Sequence, residues 1–471
     1  MIKFGTGGWR AIIGDDFTKA NVQLLTTALA RKMKDENKCG KGFVIGYDRR
    51  FLSDQAARWA AEVMAAQGIH CRVIKRESPT PLIMFAVQQY GLPYGMTVTA
   101  SHNPAIYNGI KLFMEGGRDA DELLTSEIEE YIRKTDPSEV TAVPFDEAIQ
   151  SGAVEYIDPM NQYIDSIIRS IDMEAIRKSR LKIVLDPMYG VSRTALQTIL
   201  LTARCDVDVI HERHDVLFGG RLPAPNSKTL ASLVSYVEEH RCDLGIATDG
   251  DADRLGVIDD RGNFLHPNKI LVLLYYYLMK YKGWRGAAVR NLATTHLLDR
   301  IAEDFGETCY EVPVGFKYIS SKMAETNAII GGESSGGLTV RGHIQGKDGI
   351  YAGSLLVEMM AVTGRRLSEI YDEITARYGS YEMSEADYRF SQQTKDRVTG
   401  VLLRDKLLPE FPCEIGRVSY MDGCKVYFKN KGWVIARFSG TEPLLRIFCE
   451  MPSLAEAQRI SDILANFLSL E

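Results

Sequence analysis

With 471 residues, 45% apolar and 25% charged, the chain can bury several cores and has the balance of a globular protein, which excludes a disordered or fibrous one. A formal net charge of -6, with no block of Lys and Arg, argues against tracking a nucleic-acid backbone or an anionic membrane surface. The eight cysteines form no CxxC pair and have no His at zinc-ligand spacing, so neither a disulfide framework nor a zinc site is expected.

The amino terminus, MIKFGTGGWR, reaches glycines without an apolar leader. Thr18 is expected to cap a helix to about Lys34, and Ser53 one running to about Gly68. Between them lie short runs of strand character, Phe43 to Ile45, Val73 to Ile74 and Met96 to Val98. After a polar stretch from Lys134 to Gly152 the alternation restarts at Ile183 to Leu185 and Leu244 to Ala247. A third cycle begins near Ala287 and passes Ile329. The longest apolar run, Ile270 to Met279, is too short for a bilayer, and with the reduced cysteines it predicts a cytoplasmic protein.

The last hundred residues differ. A polar passage from Tyr378 to Thr399 is followed by runs at 401–408, 425–428, 433–438 and 445–449 and by a helix from Leu454 to Leu468. The expected fold is α/β: three tandem α/β domains with mixed sheets, at 1–152, 153–256 and 257–377. A smaller α+β domain follows at 378–471, and the four are expected around a central cleft.

Four times a short apolar run empties into a loop of Gly, hydroxyl and charge: TVTASHNP, GIATDGDADR, AIIGGESSGG and WVIARFSGTEP. Ligand sites gather where the strands of α/β sheets end, so the four loops are expected to face one cleft. In GIATDGDADR an extended backbone would throw Asp249, Asp251 and Asp253 to the same side, and three hard carboxylates suit Mg²⁺ or Ca²⁺. An EF-hand fails, because Arg254 stands where its glycine belongs and Asp260 where its glutamate does.

Ser101 lies beside His102 in a turn closed by Asn103 and Pro104, which predicts an exposed hydroxyl. By itself it is an ordinary turn serine. RFSGTEP supplies Arg437, Ser439, Gly440 and Thr441, and with Arg446 these make a phosphate cradle. Gly346-Lys347 lacks the Ser or Thr of a Walker A loop, and GTGGWR has the wrong spacing for a dinucleotide fingerprint, so no nucleotide is required.

In this order the motifs resemble those of the α-D-phosphohexomutase family, the phosphoglucomutases and phosphomannomutases, over nearly the whole chain. GTGGWR is similar to the family's amino-terminal motif, TASHNP to its phosphoserine loop, DGDADR to its metal loop, GGESSGG to its sugar loop and RFSGTEP to its phosphate loop. The resemblance implies a phosphorylated Ser101, Mg²⁺ held by Asp249, Asp251, Asp253 and the Ser101 phosphate, and Arg254 and Arg10 near that phosphate. It places Lys111, with His102 as the neighbour of Ser101, near the reacting hydroxyl, where a lysine of depressed pKa could act as acid or base. Glu333 and Ser335 would grip sugar hydroxyls, and Lys347 in HIQGKDG is similar to a lysine of phosphoglucomutases.

The implied reaction interconverts hexose 1-phosphate and hexose 6-phosphate, glucose favoured over mannose, through hexose 1,6-bisphosphate, with glucose 1,6-bisphosphate as activator. The sugar loop lacks the His that follows SG in many phosphomannomutase and phosphoglucosamine mutase loops, which disfavours amino sugars. The stretch DVLFGGRLPAPN (215–226) departs from the family pattern and receives no role. Rival readings are a metal-assisted sugar phosphatase, a sugar-bisphosphate synthase using the same serine, and a non-catalytic sugar-phosphate sensor. Small hexose phosphates are the expected partners, without nucleic acid or membrane, and no oligomeric state is assigned.

Overall fold

The computed structural model describes residues 2–5, 7–438 and 444–470. Four sheets follow one another along the chain, three mixed and the last antiparallel throughout. Across the first run Trp9–Ile12, Tyr107–Met114, Tyr94–Val98, Phe43–Tyr47, Cys71–Ile74 and Val154–Ile157, with the short strand Arg118–Asp119 beside Tyr107–Met114. Its parallel centre reads as continuous apolar runs because helices Lys19–Asp35, Ser53–Ala66 and Thr80–Gln89 cover both faces.

Thr18 does cap the first of these helices, accepting from the Asn21 N–H. Ser53 does not cap the second. Leu52, at φ +64°, precedes that helix, and the Ser53 hydroxyl donates instead to Asp48, 2.8 Å away. The polar 134–152 stretch is structured too: helix Phe145–Gln150 returns Phe145 and Ala148 to the first core. Because Val154–Ile157 pairs in parallel with Cys71–Ile74, the first sheet runs past the boundary drawn at 152. The second sheet, built on Lys182–Asp186, Asp206–Val209 and Leu244–Thr248, likewise runs past 256, since Leu255–Ile258 and Phe264–Leu265 fold back onto it.

The third sheet orders Cys309–Val312, Ala288–Asn291, Ile330–Gly332 and Leu338–Val340. Two helices apolar all round, Pro267–Lys280 and Gly349–Thr363, lie in the core shared by the second and third sheets, as a helix without a polar face must. The 270–279 run is thus a core helix. Among the described residues no helix is long and apolar enough to cross a membrane.

The carboxy-terminal sheet runs Glu382–Arg389, Leu444–Met451, Trp433–Phe438, Cys424–Phe428 and Ile415–Ser419, with helix Leu454–Phe467 packed on it. The polar passage 378–399 holds an edge strand, Glu382–Arg389, and a helix, Gln392–Thr399. Each has a single fully buried residue, Ser384 in the strand and Val398 in the helix, so neither carries an apolar run. Within the 401–408 run the chain continues that helix as a wide turn over Gly400–Arg404.

Candidate active site

Strand Tyr94–Val98 delivers the chain into a turn in which Ser101 adopts φ +50°, a left-handed conformation rare for a residue with a side chain. The Ser101 N–H donates to Thr99 Oγ1 at 2.9 Å. Arg50, itself 3% exposed, donates to four carbonyl oxygens of the loop: Ser101 at 2.7 Å, Asn103 at 2.6 Å, Pro104 at 2.9 Å and Tyr107 at 3.0 Å. Ser101 is not exposed as the turn alone predicts: it is 1% accessible, and its hydroxyl donates to Asp249 Oδ2 at 2.6 Å. The fold closes the second domain over it.

Asp249, Asp251 and Asp253 are buried and offer one oxygen each within 4.8 Å of one another. Extended alternation does not achieve this. The strand ends at Thr248, and a tight turn with Ala252 at φ +63° gathers the carboxylates. Asp249 Oδ1 accepts from the backbone N–H groups of Asp253 and Arg254, which tie the turn to its first residue. Asp251 Oδ2 accepts from Thr80 Oγ1 at 2.7 Å. Oδ1 of Asp251 and Oδ1 of Asp253 are buried without a hydrogen-bond partner, and the set is all hard oxygen, so these residues fit a divalent cation such as Mg²⁺.

Two ammonium groups balance the triad. Lys111 Nζ lies 2.6 Å from Asp251 Oδ2 and 2.7 Å from Asp253 Oδ2, and Lys347 Nζ lies 2.9 Å from the same Asp253 oxygen. Burial and the neighbouring charges of Asp251 and Asp253 push the Asp249 carboxyl above its usual range. Burial works the same way on Asp253, but Lys111 and Lys347 outweigh it and hold that carboxyl well below. Burial also opposes the charge of Lys111, yet Asp251 and Asp253 prevail and raise its pKa. Lys111 is thus paired with the carboxylate triad as a counter-charge.

The other first-domain residues surround this centre. Arg10, on the strand opposite Gly109, donates to Asn103 Oδ1 at 2.9 Å. His102 Nδ1 lies 3.4 Å from Ser101 Oγ, and burial, then the charges of Arg254 and Arg10, push its pKa well below the usual value. Arg254 bridges to Gly337 and the Leu255 N–H donates to Gly336 O, which joins the metal loop directly to the sugar loop.

In that sugar loop Glu333 Oε1 accepts from Asn291 Nδ2 at 3.2 Å, and the Ser335 hydroxyl donates to Glu333 Oε2 at 3.2 Å. Arg437 and Arg446 are register partners on neighbouring antiparallel strands and so share a face. Arg437 pairs with Asp422 and Arg446 with Asp387, each at 3.3 Å. Ser439, Gly440 and Thr441 of the expected cradle lie outside the described residues.

Sequence reasoning missed several supports. Thr80, Asn291 and Arg50 all lie where a strand or its loop ends, the same signal used for the four loops, but without a glycine-rich loop to mark them. The 215–226 segment, given no role, braces two loops at once. Phe218 lies under the Arg50 guanidinium at 4.8 Å, and the Gly250 N–H donates to Pro223 O. A side chain at Gly250 would strike the Ser101 carbonyl at 2.8 Å, so only glycine lets the two loops touch.

The fold and site define a class, a multidomain α/β protein with a buried serine against a carboxylate triad. Four family models match along the chain. They are described as phosphoglucomutase/phosphomannomutase alpha/beta/alpha domain I at residues 1–139, domain II at 161–262, domain III at 266–378 and the C-terminal domain at 418–467. A phosphoglucomutase/phosphomannomutase of Thermococcus kodakarensis is 30% identical, the match covering 98% of this chain and 97% of that protein. A phosphoglucosamine mutase of Methanococcus maripaludis is 30% identical over 81% of this chain and 82% of its own. A crystal structure from Thermus thermophilus, assigned as a phosphomannomutase, superposes with a TM-score of 0.86 at 30% identity, covering 99% of both chains.

The chain belongs to the phosphoglucomutase/phosphomannomutase family. It is accordingly a phosphohexomutase, an intramolecular phosphotransferase of the isomerase class.

Proposed function

We propose that the enzyme interconverts hexose 1-phosphates and hexose 6-phosphates through a phosphorylated Ser101 and a hexose 1,6-bisphosphate, with glucose the favoured sugar and mannose a second substrate. The observation behind this reading is the Ser101 hydroxyl held 2.6 Å from Asp249 inside a buried, all-carboxylate triad. Asp249, Asp251 and Asp253 would hold Mg²⁺, which when bound neutralises phosphoryl oxygens and favours in-line transfer.

In the forward step the Oγ–P bond of phosphorylated Ser101 breaks as a sugar hydroxyl forms the new P–O bond. The proton of that hydroxyl ends on Ser101 Oγ, which departs as the free serine hydroxyl. The reverse transfer, from the other phosphate of the bisphosphate, restores the phosphoserine. Lys111, Lys347, Arg254 and Arg10 supply positive charge around the phosphoryl group, and electrostatic stabilisation with positioning accounts for most of the rate in such reactions. Glu333 and Ser335 hold sugar hydroxyls, while Arg437 and Arg446 with Ser439, Gly440 and Thr441 receive the phosphate that is not reacting. Because the bisphosphate must turn over between transfers, the sugar grip has to accept two orientations.

Preference for glucose rests on Lys347 in HIQGKDG and on the sugar loop without a histidine. The test is to supply glucose, mannose and glucosamine 1-phosphates at equal concentration, with Mg²⁺ and catalytic glucose 1,6-bisphosphate. The fastest isomerisation is expected with glucose 1-phosphate, and equal rates for all three would remove the preference. Release of inorganic phosphate without isomerisation would replace the mutase by a phosphatase.

A further inference from the structure

Asp253 Oδ2 faces two lysines at once, accepting from Lys111 of the first domain and forming an ion pair with Lys347 of the third. A divalent cation on this carboxylate repels both ammonium groups, and one at least must find another acceptor. Lys111 keeps a place on the strand Tyr107–Met114. Lys347 comes from a loop, its stem running across the sugar loop where Gly337 has no side chain: a Cβ there would lie 2.2 Å from Lys347 Cδ.

The hairpin turn of the first domain abuts that loop. Gly116 faces the Gln345 side chain, and a side chain at Gly346 would strike Met84 Cε and meet the Gly117 carbonyl. The turn leads into Asp119, paired with Phe113 across the hairpin. Asp119 Oδ2 is buried and has no hydrogen-bond partner. Burial lifts this carboxyl above its ordinary range, and the charge of Lys347 is the largest influence drawing it down, ahead of Lys111. A carboxylate oxygen removed from water and left unbonded is costly, so its place on the turn that abuts the Lys347 loop needs a reason.

We propose that Asp119 is a positioning residue, the carboxylate that takes up the Lys347 ammonium when a divalent cation claims Asp253. The inference rests on the phosphohexomutase reading, with the metal on the aspartate triad. Lys347 then stays in the cleft as a phosphate neutraliser, and the first domain gains an ionic link to the third as the metal binds.

Calorimetric titration of Mg²⁺ into enzyme stripped of metal tests this without reference to turnover. Four proteins are compared: wild type, Asp119→Asn, Lys347→Met and the double variant. Asp119→Asn is expected to weaken Mg²⁺ binding about fivefold in the wild-type background, the low end of a coupling between sites. In the Lys347→Met background the same change should have no effect, because the ammonium that Asp119 accepts is gone. Equal weakening in both backgrounds reduces Asp119 to a distant charge and overturns the proposal.

Asp119→Ser repeats the cycle if the Asn variant does not fold, and Asp119→Glu should recover most of the affinity. Wild-type enzyme that isomerises hexose phosphates and binds Mg²⁺, but shows additive effects, refutes the role of Asp119 alone. Failure of the wild type to bind Mg²⁺ overturns this proposal and the proposed function together.

Discussion

The Arg50 guanidinium donates to the Ser101 carbonyl oxygen across 51 residues of sequence, at 2.7 Å, and gathers three further carbonyls of the same loop. Ser101, at φ +50°, is held in its left-handed conformation by a residue of another strand end. Such local strain persists only where surroundings over-determine it.

Replacing Arg50 by Met should therefore cost about 3–5 kcal/mol, since it leaves Asp48 buried without its cation as well as unbinding the loop. Arg50→Lys should recover little, because one ammonium cannot serve four divergent carbonyls. Urea unfolding measures both. A loss under about 1 kcal/mol for the Met variant would mean the loop keeps its shape without the clamp.

Ser101→Ala should lower mutase turnover about 10⁴- to 10⁶-fold, the range seen when an enzyme loses one member of a catalytic triad. Binding of the sugar phosphate by the other residues should persist. Intact-mass measurement after incubation with glucose 1,6-bisphosphate should show added phosphate on the wild type and none on the variant. Retained turnover in the Ala protein would dismiss Ser101 as the carrier.

Metal should stabilise the folded chain. At about 100 times its Kd, Mg²⁺ is expected to add roughly 2.7 kcal/mol by mass action, so the unfolding temperature should rise with Mg²⁺ and fall with EDTA. Asp253→Asn should abolish most of the rise. Identical melting with and without the ion would count against the triad as a metal site.

The docking of the carboxy-terminal domain on the third carries a pH signature. Lys425, buried at that interface, donates to Leu292 O and pairs with Glu311 at 2.8 Å beside His296. Arg290, Asp299, Arg417, Tyr427 and Glu450 complete the cluster. Burial and then the charge of Arg290 push the Lys425 pKa down to about 7, against the pull of Glu311. The docked state therefore binds fewer protons than the undocked or unfolded one between about pH 7 and the ordinary lysine value near 10.5. Stability from this group rises through that window and is lost as the pH falls through 7. Compared at pH 6.5 and about 8.5, the wild type should gain more stability with pH than Lys425→Met. Equal gains would remove Lys425 as the cause.

Turnover of a bisphosphate calls for the cleft to open. The stretch from Tyr378 to Tyr381 joins the last two domains, with Gly379 at φ +90° and Arg300 donating to Tyr378 O while lying over the Tyr381 ring at 4.2 Å. We expect movement about this joint, seen as a smaller radius of gyration in X-ray scattering when glucose 1,6-bisphosphate is added. An unchanged radius would argue for a fixed cleft.

What the sequence determined by itself was local. Three aspartates within five residues, a serine in TASHNP and the apolar run before each loop are features of contiguous segments. Their identities name the chemistry before any fold is known. The alternation of apolar runs with helix-length segments made the three α/β units legible for the same reason, whereas the edge strand Glu382–Arg389 left no such pattern because its one fully buried residue is the polar Ser384.

Tertiary structure decided what those residues do to one another. The Ser101 hydroxyl meets Asp249 across 148 residues, and Lys111 meets Asp251 across 140. Such pairings turn an exposed turn serine into a buried one, and set Lys111 against the carboxylate triad. Segment 215–226, silent as sequence, became the brace beneath two loops. Burial and charge proximity are sums over neighbours, and in this chain the neighbours that count lie on other domains.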